Sequence, residues 1–171
     1  MDFNNIKQNK TAKSLTYQFI NSHYSIINEE IIEKLSDIAL NLKETVRICM
    51  HSNANDDLHN MLIVHHKNSY IKPHANMYNS KAYHHIKGEM LIIGLDENQK
   101  EIFRTILNKY NKIVRIEKGI FLYMRILSEI VVFHEIAIGP YTNFTTIYPE
   151  WAPEKNEKTI QQFIKRIENG I

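Results

Sequence analysis

The chain has a single cysteine, Cys49, in 171 residues, so no disulfide can form within it. Glycine and proline are scarce, five and four residues, and there is no internal repeat or low-complexity tract, which excludes repeat and linker-like architectures. An excess of charge of one sign is also missing. The 21 basic and 19 acidic residues leave a formal net charge of +2 and are spread along the chain, so there is no basic stripe and nucleic acid is not an expected partner. No run approaches the ~20 apolar residues of a membrane-spanning helix. The start, Met1-Asp2-Phe3-Asn4-Asn5, lacks the basic region and apolar core of a secretory signal. These absences predict a cytoplasmic protein without a membrane partner. With 43% hydrophobic content, the chain is long enough for one core and short for two independent domains.

What is present changes character along the chain. Residues 1–13 are polar and predict a frayed tail. From Asn28 the apolar residues Ile31, Ile32, Leu35, Ile38, Ala39 and Leu42 recur at steps of three and four, predicting a helix over roughly 29–43 with Asn28 as its N-cap and Glu29 and Glu30 at its positive end. After Val46 come short runs rich in Ile, Val, Tyr and Phe, at about 46–51, 60–66, 69–73, 82–86, 89–95, 101–108, 111–117, 120–126 and 130–137. Many short strands at this spacing predict a sandwich or barrel. Asp96-Glu97-Asn98-Gln99 reads as a hairpin turn. Residues 101–109 also satisfy a helical period, and the hairpins around them favour strand. At the end Ile160, Phe163, Ile164 and Ile167 share a helical face, with Thr159 as cap, Lys165 and Arg166 in the last turn and Gly170 just beyond. The predicted organisation is an N-terminal tail and helical segment (1–45), a β-barrel (46–140) and a C-terminal arm and helix (141–171), forming one globular unit.

Three groups of residues carry the most specific pattern: Pro73-His74-Ala75-Asn76, then Lys81 and Gly88, then Glu117-Lys118-Gly119-Ile120-Phe121-Leu122. Their spacing resembles the two cupin motifs, His-x-His, four residues, Glu, six residues, Gly, and later Pro-x-Gly-x-x-His. Further fragments resemble the WbuC-type cupins, small proteins often encoded in surface-polysaccharide gene clusters. They are Arg47 to His51 with Asp56-Asp57, Tyr83 to Met90, Val132 to Glu135, Gly139-Pro140-Tyr141 and Trp151-Ala152-Pro153-Glu154. The match spans residues 46 to 154. The resemblance implies an antiparallel jelly-roll barrel, mainly β with the two flanking helices, a homodimer, and a role with sugars.

The chain departs from that pattern at the metal ligands. On the cupin frame Asn76 replaces the second His, Lys81 the Glu and Leu122 the last His, leaving only His74. Divalent sites normally need three or four N, O or S donors in one geometry, so no metal cofactor is predicted. The fallback is a rebuilt Fe, Mn, Zn or Ni site using His74, His84, His85 and His134.

Alternate residues of a strand share a face, so an inward His74 brings in Asn76, and the next strand adds Lys81, Tyr83 and His85 if it runs without a bulge. The expected ligand-binding set is His74, Asn76, Lys81, Tyr83, His85 and Tyr123, with Lys81, His74 and Tyr123 as the catalytic candidates. A buried lysine loses proton affinity by desolvation and can act as a base; alternatively its ammonium reaches solvent or pairs with a carboxylate such as Glu135. Tyr83, His85 and Tyr123 supply either a proton relay or barrel packing. His134-Glu135 are neighbours on one strand and so face opposite ways. Trp151 is expected to cover an edge or close the barrel. Asp56-Asp57 and His65-His66-Lys67 read as solvent-facing turns and strand ends. Three readings of function follow. One is a carbohydrate or nucleotide-sugar cupin of surface-polysaccharide biosynthesis, able to isomerise or epimerise a sugar without metal. Another is a binding or assembly protein that catalyses nothing. The third is a divalent-metal cupin enzyme with rearranged His ligands.

Overall fold

The β-rich runs form strands because alternate side chains of each reach a buried face. The computed structural model describes residues 5–12, 14–20, 23–142, 145–154 and 159–169. Two sheets face each other. In spatial order the larger holds β1 (Ile6–Gln8), β2 (Leu15–Phe19), β3 (Val46–Cys49), β4 (Leu58–His66), β11 (Ile130–Ile138), β6 (Lys81–Lys87) and β9 (Ile113–Ile116). The smaller holds β12 (Thr146–Ile147), β5 (Ile71–Asn76), β10 (Phe121–Ile126), β7 (Met90–Leu95) and β8 (Glu101–Leu107). Neighbours pair antiparallel except β2 and β3, which run parallel from Leu15 opposite Val46. Between the sheets Ile63, Met90, Ile92, Leu122, Met124 and Phe133 form the central core.

Each sheet's outer face is covered by one helix. Helix α1 (Glu29–Leu42) is capped by Asn28, whose side-chain oxygen accepts from the Ile31 backbone N–H at 3.1 Å, and Glu29 and Glu30 sit in its first turn. Its Ile31, Leu35 and Ala39 pack on Val46, Ile48, Leu62 and Val64 of the larger sheet. Because Val46 and Ile48 face the helix, Arg47 and Cys49 face inward, and this alternation sets half of the site. Helix α2 (Ile160–Asn169) buries Phe163 and Ile167 against Ile93, Leu95 and Tyr123 on the smaller sheet. Trp151 joins that layer, its ring 5.8 Å from Phe121 and 5.9 Å from Phe163.

Residues 101–107 are strand, paired with β7 from Met90 opposite Leu107. Asp96 to Lys100 form the connecting turn, with Gln99 in the left-handed region at φ 67°. Gly88 has φ +80°, and a Cβ there would stand 2.1 Å from the Ile130 carbonyl oxygen, so this turn requires glycine. The expected polar tail departs from the structure: Ile6–Gln8 pairs with Leu15–Phe19, from Ile6 opposite Phe19. This hairpin is held to the sheet by the pairing of Leu15–Phe19 with the sequence-distant Val46–Cys49, which the local pattern does not signal. Gly170, expected as the helix stop, lies outside the described residues. No helix among the described residues is long and apolar enough to cross a membrane.

Candidate functional site

A cavity of about 490 Å³ opens between the inner faces of the two sheets, within the range of small-molecule sites. From the larger sheet β3 sends in Arg47 and Cys49, β4 His59, Met61, Ile63 and His65, β11 Phe133 and Glu135, and β6 Lys81 and Tyr83. The smaller sheet adds Ile71, His74 and Asn76 from β5 and Met124 from β10, and Tyr141, Thr146 and Tyr148 stand along one side. The pairing registers place these residues in rows. Arg47 lies in the row of Ile63 and Phe133, the next row runs Cys49, Met61, Glu135 and Tyr83, and the next brings His59, Ala137 and Lys81 together.

His74 and Lys81 form the polar centre. The His74 Nδ1 is 3.0 Å from the Lys72 carbonyl oxygen, which can only accept, so this nitrogen carries the proton and donates. Nε2 is therefore left with its lone pair, and Lys81 Nζ donates to it at 3.4 Å. Burial first, and then the Lys81 charge, lowers the His74 pKa to about 3, so His74 is neutral near pH 7. Lys81 is 6% exposed, and burial lowers its pKa while the Glu135 charge opposes that shift. Among the described residues Lys81 makes no ion pair. Its ammonium lies 5.3 Å from the centre of the Tyr83 ring, a cation–π distance. Glu135 is paired across the sheet with Tyr83, and burial first, then that carboxylate, pushes the Tyr83 pKa well up. Thr146 Oγ1 donates to the Asn76 side-chain oxygen at 3.3 Å.

These residues do not fit a tightly held divalent ion. The His74 lone pair already accepts from Lys81, Leu122 stands directly opposite His74 in the β5–β10 pairing, and the Asn76 oxygen is engaged. Among the described residues no group of three or more His, Cys, Asp or Glu is placed to hold a metal. The fallback ligands are split between faces. His84 and His134 meet each other at 5.5 Å between ring centres, on the side of the sheet away from Tyr83 and Glu135.

Of the six expected ligand-binding residues, four line the cavity: His74, Asn76, Lys81 and Tyr83. His85 continues the inward alternation but lies at the far end of β6, beside a register shift opposite Val132 and Phe133, and its Nε2 donates to the Gly88 carbonyl at 2.8 Å. Tyr123 points outward, under α2, where its hydroxyl donates to Glu168 at 2.6 Å. Its neighbour Leu122 takes the inward direction, so period two along β10 excludes Tyr123 from the cavity. Arg47, Cys49 and His65 are among the lining residues that the sequence pattern assigned no site. His65 is 7% exposed, and burial, followed by the charge of Arg47 and by His74, lowers its pKa to about 3. The signal was there in the alternation Met61, Ile63, His65, which places His65 on the inward face if β4 continues past it.

No protein-family profile matches the chain, and no curated protein sequence matches it. Solved structures do. The capsular polysaccharide assembling protein CapF from Staphylococcus aureus is similar over 61% of this chain and 30% of its own, with a TM-score of 0.53 and 12% identity. The fold is the double-stranded β-helix of the cupins. An uncharacterized conserved protein with a double-stranded β-helix domain, from Klebsiella pneumoniae, matches over 63% of this chain and 80% of its own, with a TM-score of 0.49 and 16% identity. Procruciferin, an 11S globulin of Brassica napus, matches over 54% and 23%, with a TM-score of 0.47 and 15% identity. This cupin-fold chain spans about a third of CapF or less, and at these identities the likeness is one of fold.

Proposed function

We propose that this protein is a carbohydrate-binding cupin of the WbuC type, acting in surface-polysaccharide biosynthesis, and that its site works without a metal. The carrying observation is Lys81: a buried amine, hydrogen-bonded to a neutral imidazole, inside a cavity of about 490 Å³. Polar groups at one part of the cavity and Ile63, Ile71, Met124 and Phe133 at another suit a sugar, which has hydroxyl edges and an apolar ring face. CapF is a capsular polysaccharide assembling protein, which agrees with this reading. The exposed Ile102, Ile106 and Ile113 on the edge strands β8 and β9 support a homodimer.

The chemistry these groups support is proton transfer beside a sugar carbonyl. Lys81, its proton affinity lowered by burial, takes the proton from the carbon next to the carbonyl. The Tyr83 hydroxyl stabilises the oxygen on which negative charge develops; Lys81 then returns the proton to the former carbonyl carbon while the hydroxyl proton on the neighbouring carbon passes to the former carbonyl oxygen, which gives the isomer. His74 holds Lys81 in place through Nε2. At a pKa of about 3 it is not an acid at neutral pH.

Incubation with nucleotide-sugars and free sugars in heavy water, followed by NMR, tests the reading. Deuterium entering the carbon beside the carbonyl with wild type, and not with Lys81→Ala, is the expected result. Binding without deuterium uptake leaves a binding protein, and absence of binding by any sugar overturns the proposal.

A further inference from the structure

The sugar reading leaves one group in the cavity unexplained. Arg47 enters from β3, and its Nε is fully buried without a hydrogen-bond partner among the described residues. A buried guanidinium N–H without an acceptor is costly, and such a group marks a place where an acceptor arrives from outside the chain. The local charge agrees. Arg47 and Lys81 both line the cavity, and among the described residues one carboxylate lines it, Glu135, which is paired across the sheet with Tyr83. Lys72, also at the cavity, is tied to Glu154 by an ion pair. His65 and His74 add no positive charge near pH 7, since their pKa values are about 3, and burial shifts His51 toward its neutral form. Arg47 is thereby left without an ion pair, and at Nε without a hydrogen-bond partner, among the described residues.

We infer that Arg47 forms an oxyanion subsite in this cavity, so that the sugar bound there carries a carboxylate or a phosphate. This rests on the carbohydrate reading above and narrows it to acidic sugars. Arginine offers Nε–H and one Nη–H side by side, which matches two oxygens of a carboxylate or phosphate in a bidentate contact. The cavity register separates this subsite from the reacting end: Arg47 lies in the row of Ile63 and Phe133, one row on one side of Glu135, while Lys81 lies one row on the other side. A sugar held at its acidic group by Arg47 thereby presents another part of its ring to Lys81. Arg47 is on this reading a binding residue and Lys81 the reacting one.

Titration calorimetry on the full chain tests the inference with five probes: glucose, glucuronate, glucose 6-phosphate, acetate and inorganic phosphate. The expected result is that glucuronate or glucose 6-phosphate binds at least about tenfold more tightly than glucose, with the preference falling to near unity in Arg47→Gln; which acid wins identifies the oxyanion. Binding of acetate or phosphate that needs Arg47, with no preference for either acidic sugar, supports the subsite and sinks the sugar reading. Equal binding of glucose and the acidic sugars by wild type overturns the subsite and leaves the sugar reading standing, and that comparison requires no variant to fold. Charge preference that persists in a folded Arg47→Gln also overturns it. Failure of all five probes to bind overturns both.

Discussion

Lys81 Nζ lies 3.4 Å from the Nε2 of His74, and because the other His74 nitrogen donates to the Lys72 carbonyl, the contact runs from amine to lone pair. The same lone pair is the one an imidazole offers to a metal. On the cupin frame Lys81 stands at the position of a carboxylate ligand, so one substitution both removes a donor and occupies its neighbour. The pair is self-consistent without an ion: His74 stays neutral, and Lys81 has a hydrogen-bond acceptor in a place with no close carboxylate.

This arrangement predicts a trade between stability and function at Lys81. A buried cation without an ion-pair partner is replaced favourably by an apolar side chain of similar length. Lys81→Met is expected to raise unfolding stability by about 1 kcal/mol or more while abolishing deuterium exchange into a bound sugar. Denaturant unfolding checks the first part, and a loss of stability contradicts the account of Lys81 as a buried amine without an ion-pair partner.

Acid should destabilise the protein through its buried histidines. His65 and His74 have folded pKa values of about 3 against 6.5 for the free side chain, so between those values the unfolded chain binds more protons than the folded one. Stability is then lost as pH falls below 6.5 and toward 3, by up to about 1.4 kcal/mol per pH unit for each histidine. Above 6.5 neither contributes a slope. Denaturant midpoints from about pH 7.5 down to about pH 4.5 measure this, and His65→Gln is expected to flatten the curve by one histidine's share. An unchanged slope contradicts the burial of His65 as a neutral ring.

Tyr123 separates structure from function. Its hydroxyl donates to Glu168 beneath α2, outside the cavity. Tyr123→Phe is expected to cost about 1–2 kcal/mol and to leave sugar binding unaltered. A loss of binding with the fold intact places Tyr123 in the site after all.

The turn at Gly88 makes a sharper test of the barrel itself. With φ at +80° and the Ile130 carbonyl 2.1 Å from where a Cβ would sit, Gly88→Ala is expected to cost about 1–3 kcal/mol, read from the thermal midpoint. A neutral effect contradicts the closeness of the β6–β7 turn to β11.

Much of this fold was legible because it is written in short-range pattern. The nine barrel strands follow from alternation and turn residues, and α1 from the three-four spacing of Ile31, Leu35 and Ala39. Strands β1, β2 and β12 were not legible. They are two to five residues long; β2 and β12 pair with Val46, Asn76 and Ala75, far away in sequence, and β1 pairs only with β2. Within the site, His74, Asn76, Lys81 and Tyr83 follow from period two on β5 and β6. His85 shares that period but is displaced along the strand, a distance that periodicity does not encode. Tyr123 was misplaced: Leu122 beside it takes the inward direction, so period two along β10 turns Tyr123 outward beneath α2. Arg47 carried no local signal: its inward direction is fixed by Val46 and Ile48 packing on α1.

The central claim is a cupin cavity in which Lys81 and His74 replace metal chemistry, and elemental analysis tests it most directly. The untagged protein should be produced with Fe, Mn, Zn and Ni supplied and purified without chelators. The account predicts each metal well below one per chain, unchanged in His74→Ala. A near-stoichiometric metal that disappears in His74→Ala would contradict it, because His74 would then be giving a metal the lone pair assigned here to Lys81.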